Sequence, residues 1–217
     1  MGIVIFGVGS SLLVDIVESL ARAGVTIAAG IQNQAGHNFL PGETPVVKVD
    51  EISPALTQHA FMVPFFTPGD RETAFQEARA CGFERPFSLV DPTSIVSRDL
   101  ALGEGGYINA GCVLGAASRF GRFVLVNRGA TIGHHAVFGD FVSIGPGAVL
   151  AGNITVGSGS VIGAGAVLLP EVQIGKNSVI GAGSVVTKNV PDHCQAIGNP
   201  ARVTKTDIRG FKEKGVR

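Results

Sequence analysis

The chain has 217 residues, no formal net charge and 45% hydrophobic residues. It is long enough for one large domain or two small ones, and too apolar and too weakly charged, at 16% acids and bases, to stay disordered. Neutrality, the lack of Trp and a single Tyr argue against a nucleic-acid partner, and no apolar run approaches the ~18–20 residues of a membrane span, so a cytoplasmic protein without a membrane partner is expected. Three scattered cysteines, Cys81, Cys112 and Cys194, suggest neither a disulfide framework nor a zinc site.

Taken in chain order, the first 90 residues alternate strands and helices. Residues 3–6 form a short apolar run that predicts a buried strand, followed by a turn at Gly7-Val8-Gly9-Ser10-Ser11. Leu12, Leu13, Ile16, Val17 and Leu20 keep helical spacing over 12–23, and 25–29 predict a second strand. A short helix is expected over 51–60 with Pro54 in its first turn, then a strand over 61–66, a helix over 69–81 and a closing strand over 87–90. Such alternation predicts an α/β unit with a parallel sheet. The first strand-to-helix turn is where a phosphate binds in such folds, but Gly-x-Gly also makes a tight turn with no ligand, and both readings stand. The start of the 69–81 helix, Thr67-Pro68-Gly69-Asp70-Arg71, is a second anion candidate but reads more readily as a helix cap with Pro near its first position.

Past residue 90 the composition changes. Residues 1–90 hold nine glycines and a net charge of −4; residues 91–202 hold twenty glycines, and the remainder of the chain carries +4. From Val96 an aliphatic or Phe residue recurs every six positions without a gap for sixteen hexads, ending at Val186. Glycine often follows the anchor, and four residues after it stands a small or β-branched residue such as Cys112, Ala130, Ala148 or Ser160. Neither the helical period nor simple alternation explains a strict six. A flat triangular coil does, with one inward anchor per side, three hexads per coil, and residues 18 apart stacked at the ~4.8 Å spacing of a sheet. Ile144, Ile162 and Ile180 form one such column, and Asn109 and Asn127 are spaced for an amide ladder. About five coils of parallel β-helix follow, with ends that need covering. The domains expected are therefore 1–90, 91–203 and a basic tail, 204–217.

This repeat, the order of a small α/β domain before it, and the ending Ala196-Ile197-Gly198-Asn199-Pro200-Ala201-Arg202-Val203 resemble the hexapeptide-repeat acyltransferases. Within them the chain is most similar to sugar O-/N-acyltransferases related to sialic-acid O-acetyltransferase and to the bacillosamine and perosamine N-acetyltransferases. The resemblance implies a Rossmann-like N-terminal domain, a left-handed β-helix, a homotrimer, and acetyl-CoA as acyl donor in the groove between neighbouring β-helices. It also implies a sugar acceptor, linked to a nucleotide. Zinc-binding hexapeptide-repeat proteins need three histidines, one on an earlier coil, and no histidine lies between His59 and His134, so no metal is expected.

Acyl transfer needs a base for the acceptor's proton and donors for the thioester oxyanion. His134 and His135 lie together in the charge-poor repeats, with Ala116 and Gly152 one coil before and after His134. Spacing alone leaves His134 open between a base and an exposed corner residue. The resemblance makes His134 the general base and places His135 where the family has an acid, so Asp140 is the substitute candidate. A second family histidine, nine positions on, is Ser143 here. By the same resemblance Gly152, Ala164 and Ala182 admit the pantetheine arm, Asn199 and Pro200 lie near the adenine, and the Gly152 N–H serves the oxyanion. The basic residues of the tail, among them Arg209, Lys212 and Lys214, suit CoA phosphates or a solvated end. Gly7, Gly9, Ser10, Ser11 and Asn33 fall at the acceptor's nucleotide site. Departures there (Leu12 where relatives have glycine, Gln32-Asn33-Gln34 where they often have an acid) keep two alternatives open: a scaffold without catalysis, or an acyltransferase with a non-nucleotide acceptor.

Overall fold

A computed structural model describes residues 2–217. Its N-terminal unit comprises β1 (Gly2–Phe6), α1 (Leu13–Arg22), β2 (Thr26–Gln32), β3 (Val46–Lys48), α2 (Pro54–Thr57), β4 (Ala60–Met62) and α3 (Pro68–Ala80). The four strands make a parallel sheet in the order β3-β2-β1-β4. β1 sits inside it, and Ile3, Val4, Ile5 and Phe6 are all buried, as a strand covered on both faces requires. β2 runs to Gln32, beyond its apolar run, because Gly30, Ile31 and Gln32 pair with β3. β3 is an edge strand whose two outer residues, Val46 and Lys48, are exposed, so it lacked the apolar run that marks a buried strand.

The expected closing strand belongs elsewhere. β5 (Leu89–Val90) pairs with Tyr107–Ile108, in the first rung of the β-helix, so that domain starts just before Asp91. From there the chain winds as a left-handed β-helix of two-residue strands on three parallel faces. Ser143–Ile144 and Val161–Ile162 belong to the first face, Thr131–Ile132 and Val149–Leu150 to the second, Val137–Phe138 and Thr155–Val156 to the third. The register is 18 residues until the last coil, where Val179 pairs with Gln195 and Ile174 with Val190, 16 residues on. The anchors from Ile108 to Val186 are buried in one continuous core with the small residues four positions on, Cys112, Ala130, Ala136, Ala148 and Ala166. Where that residue is serine its buried hydroxyl joins coils: Ser160 donates to the Gly175 carbonyl at 2.6 Å and accepts the Ser178 N–H at 2.9 Å. The amide ladder forms, Asn109 Nδ2 donating to Asn127 Oδ1 at 3.0 Å.

Each corner needs one left-handed residue, and the three edges meet that need differently. Between the first and second faces all five positions are glycine (Gly111, Gly129, Gly147, Gly165, Gly183), with no atom of the chain near a Cβ placed there. Between the second and third they are Ala117, His135, Asn153 and Glu171. Between the third and first, Phe123 and Phe141 take left-handed conformations and stack at 5.1 Å, facing the N-terminal domain.

The two domains share cores. Phe123 and Phe141 pack with Phe6, Phe61, Phe75 and Phe83, while Leu89, Tyr107 and Leu125 of the first face pack with α1 and β1. Two polar clasps reinforce the junction. Asp91 accepts hydrogen bonds from Ser19 (2.6 Å) and from Arg22 (2.7 and 2.9 Å). Burial alone would raise the Asp91 carboxyl, but the bonds from Arg22, Ser19 and Thr93 outweigh it and hold the group well below the usual carboxylate range. The second clasp is Arg71 of α3. Its guanidinium is fully buried and donates to the carbonyls of Phe65, Phe66, Phe123, Phe141 and Val142 and to the Ser143 hydroxyl. Burial without a carboxylate pushes Arg71 down to about 9, so it remains charged at neutral pH.

After the last coil the chain makes an antiparallel hairpin, Gln195–Gly198 with Ala201–Lys205, around a cis Asn199-Pro200 bond. The remainder is not a solvated end. It folds back on α3, where Lys214 meets Asp70 at 2.6 Å and the Val216 N–H and carbonyl bond Asn177 at 2.9 and 3.0 Å. Among the described residues no helix is long and apolar enough to cross a membrane.

Candidate active site

His134 stands exposed on the edge between the second and third faces. The chain leaves Thr131–Ile132, turns at Gly133, and reaches the left-handed corner at His135, φ 56°. In a regular strand, neighbours point to opposite sides. Here the corner brings both imidazoles together: their Nδ1 atoms lie 2.9 Å apart and their planes stand at 87°. One coil on, Gly152 lies against the His134 ring. A Cβ on Gly152 would meet its Cε1 at 2.7 Å and its Nε2 at 2.8 Å, so the missing side chain is what lets the imidazole pack on that coil. The coil is held there by the Asn153 N–H on the His134 carbonyl at 2.9 Å.

Asp140, the expected orienting acid, is not brought to His134. It lies past the third face, where its carboxylate takes the Arg122 N–H at 2.8 Å and Arg122 Nε at 3.0 Å. Six residues along a triangular coil span one side, so the carboxylate sits at another corner. The group on His134 is His135 instead. Ser143 does not face a substrate either: it is buried, donates to the Phe66 carbonyl at 2.6 Å and accepts from Arg71 at 2.9 Å.

Ala164 and Ala182 lie on the edge between the first and second faces, in an apolar groove of about 460 Å³ shared with Pro146, Phe66 and Phe211. Phe66 and Phe211 close it edge to face, centroids 6.2 Å apart. Neither aromatic was marked as a site residue in the sequence, because both stand outside the repeat and only folding carries them to it. Gly152 and the alanines thus belong to different edges of one prism, both bordering its second face. Asn199 and Pro200 are exposed at the hairpin tip.

At the N-terminal turn, Gly7 has φ 104° and a Cβ there would strike the Phe65 ring. Asn33 reaches the same place, with its Oδ1 3.5 Å from that Cβ position, and donates through Nδ2 to Glu77 at 2.7 Å. The Ser10 carbonyl accepts the Leu13 N–H at 3.0 Å at the start of α1, the neighbouring Ser11 is exposed, and Gly9 is close to the His37 carbonyl. A separate polar cavity of about 350 Å³, lined by Gln32, Asn33, Gln34, Lys48 and Asp50, opens at the ends of β2 and β3. Lys48 and Asp50 escaped the sequence reading, since no motif marks them.

The Hexapep family, described as bacterial transferase hexapeptide (six repeats), matches residues 135–170 and 153–188. A solved mutant of GDP-perosamine N-acetyltransferase from Caulobacter crescentus, in complex with CoA and GDP-perosamine, is 31% identical to this chain. The match covers 94% of this chain and 97% of that one, with a TM-score of 0.84. The acetyltransferase domain of PglB from Neisseria gonorrhoeae, in complex with acetyl coenzyme A, is 29% identical over 93% and 98% of the two chains, TM-score 0.82. WeeI from Acinetobacter baumannii, at 23% identity over 94% and 100%, TM-score 0.76, shares the fold. No curated protein sequence matches.

Proposed function

Since the chain belongs to the hexapeptide-repeat sugar O-/N-acyltransferase family, we propose that it transfers an acetyl group from acetyl-CoA to an amine or hydroxyl of a nucleotide-linked sugar, with His134 as the base. The observation that carries the reading is an exposed imidazole seated against Gly152, in a fold matched over more than nine-tenths of the chain by a CoA-bound GDP-perosamine N-acetyltransferase and by an acetyl-CoA-bound acetyltransferase domain. His134 Nε2 takes the proton of the acceptor, whose nitrogen or oxygen attacks the thioester carbonyl. The Gly152 N–H supports the oxyanion, and the C–S bond breaks as CoA leaves with a proton from the imidazolium. We assign the acceptor's nucleotide to the N-terminal α/β domain, which we read as Rossmann-like from its parallel β3-β2-β1-β4 order, at Gly7, Gly9, Ser10, Ser11 and Asn33.

We read the functional unit as a homotrimer, a reading the same geometry supports. The second face carries an outer column of Val113, Thr131, Val149, Val167 and Val185, with Val113 and Val149 more than 40% exposed. His134 and Gly152 border it on one side, Ala164 and Ala182 on the other. Three copies with second faces toward a common axis set each His134 edge against a neighbour's alanine edge, a head-to-tail contact that closes as a ring. One extended CoA then touches both edges, with Asn199 and Pro200 near its adenine. The bare glycine corner admits that close approach.

The test is calorimetry of acetyl-CoA with wild type and His134→Ala, together with thiol release over UDP-, GDP- and dTDP-linked 4-amino sugars. Binding to both proteins is expected, with release reduced about 10²–10⁴-fold in the variant. Binding without release on any member discards the nucleotide-sugar acceptor, and absence of binding discards the enzyme.

A further inference from the structure

We propose that His135 is a positioning residue that replaces the orienting carboxylate: the two imidazoles share one proton between their Nδ1 atoms and hold at most one positive charge. The inference rests on reading His134 as the base. Two ring nitrogens 2.9 Å apart form a hydrogen bond only when one carries hydrogen and the other a lone pair. When His134 takes a proton on Nε2, both its nitrogens are protonated, and its Nδ1–H must donate to His135. That requires the bare Nδ1 and the Nε2–H tautomer of His135. A doubly protonated pair would set two N–H groups head on and cannot keep this bond. Once the departing thiolate takes the proton back from Nε2, the pair is neutral again, with the Nδ1 bond intact throughout the cycle.

The surroundings favour this sharing. Ala116, Ala117, Gly152 and Asn153, on the coils before and after at the same corner, carry no charge. Asp99, two coils before His135, is held low by the Ser97 hydroxyl and by the Ala117 N–H at 3.0 Å, with His135 the least of the influences on it. An imidazole with a neutral acceptor holds its proton less firmly than one beside a carboxylate, so this enzyme works on the low-pH side of its carboxylate variant.

The experiment is histidine-labelled NMR titration of the full chain, in parallel with kcat/KM against pH. In wild type the two rings are expected to take up one proton as a pair, their signals changing together, and a second proton only with loss of the Nδ1–Nδ1 bond. His135→Asp should move the acidic limb of kcat/KM up by about one unit. His135→Ala should lower kcat about ten-fold or more with KM for acetyl-CoA unchanged. Alanine is tolerated in the left-handed corner, as Ala117 shows one coil earlier, so the variant folds. Independent titration of the two rings, or an unchanged His134 titration in His135→Ala, overturns the proposal. Failure of the base reading is separate: it appears as undiminished turnover in His134→Ala, whatever the NMR shows.

Discussion

Gly152 shows how one missing atom serves a site. Its φ is unremarkable for any residue, so alanine is compatible with the backbone, yet the added Cβ would lie 2.7–3.2 Å from three atoms of the His134 ring. The ring must turn away, and misplacing a base by about 1 Å costs on the order of 10²-fold. Gly152→Ala should therefore fold with a near-native melting temperature and lose about two orders of magnitude in kcat/KM, measured by thiol release. A variant retaining full turnover would remove His134 from the chemistry. The corner residue His135 makes the complementary point. A left-handed φ is the one local feature that lets consecutive side chains meet, so a dipeptide that reads as two opposed histidines becomes a pair.

At the scale of elements, α1 and the start of the β-helix are joined by a buried charge. Asp91 has its folded pKa held down by Arg22, Ser19 and Thr93, so it contributes stability above the unfolded value near 3.9, and that contribution fades as pH falls toward the folded value. Replacing it with asparagine leaves the Arg22 side unpaired and should cost roughly 2–4 kcal/mol at pH 7. The melting-temperature gap between wild type and Asp91→Asn should narrow steadily below about pH 4; a constant gap down to pH 2 would refute the assignment. α3 holds the junction by other means, since Arg71 is matched by carbonyls rather than by an acid. Ser143 is drawn into that clasp, which accounts for its absence from the His134 corner.

For the whole molecule, the arrangement of edges matters more than any single groove. The outer column of the second face lies between the His134 edge and the Ala164 edge, and the proposed trimer brings the two edges together from neighbouring chains. A charge at the centre of that column, Val149→Lys, should yield monomers in sedimentation and abolish thiol release while the α/β domain and β-helix stay folded. An active monomer would disprove a shared site. The folded-back tail adds to the same picture, because Phe211 reaches the alanine groove only through the contacts of Lys214 and Val216 with α3 and Asn177.

The β-helix was legible in the sequence because its information is local and repeated: a strict six-residue period states which residue points inward at every side, and 18 residues state what stacks on what. The alternation of the first 90 residues was legible for a similar reason, through the buried runs of β1 and the helical spacing of α1. β3 was not, since an exposed edge strand has no apolar signature, and β5 was assigned to the wrong sheet because two apolar residues do not say which edge they will pair with. His134 and its small neighbours came from spacing together with resemblance. Its partner did not. Periodicity places a residue on a side of the coil but gives no left-handed corner, and so it could not show that His135 turns onto His134 while Asp140 goes to Arg122. Nor could it bring Phe66 and Phe211 to the groove or Arg71 to Ser143. Those contacts join residues tens of positions apart across two domains, and only tertiary packing, which buries the apolar faces of both against each other, decides them.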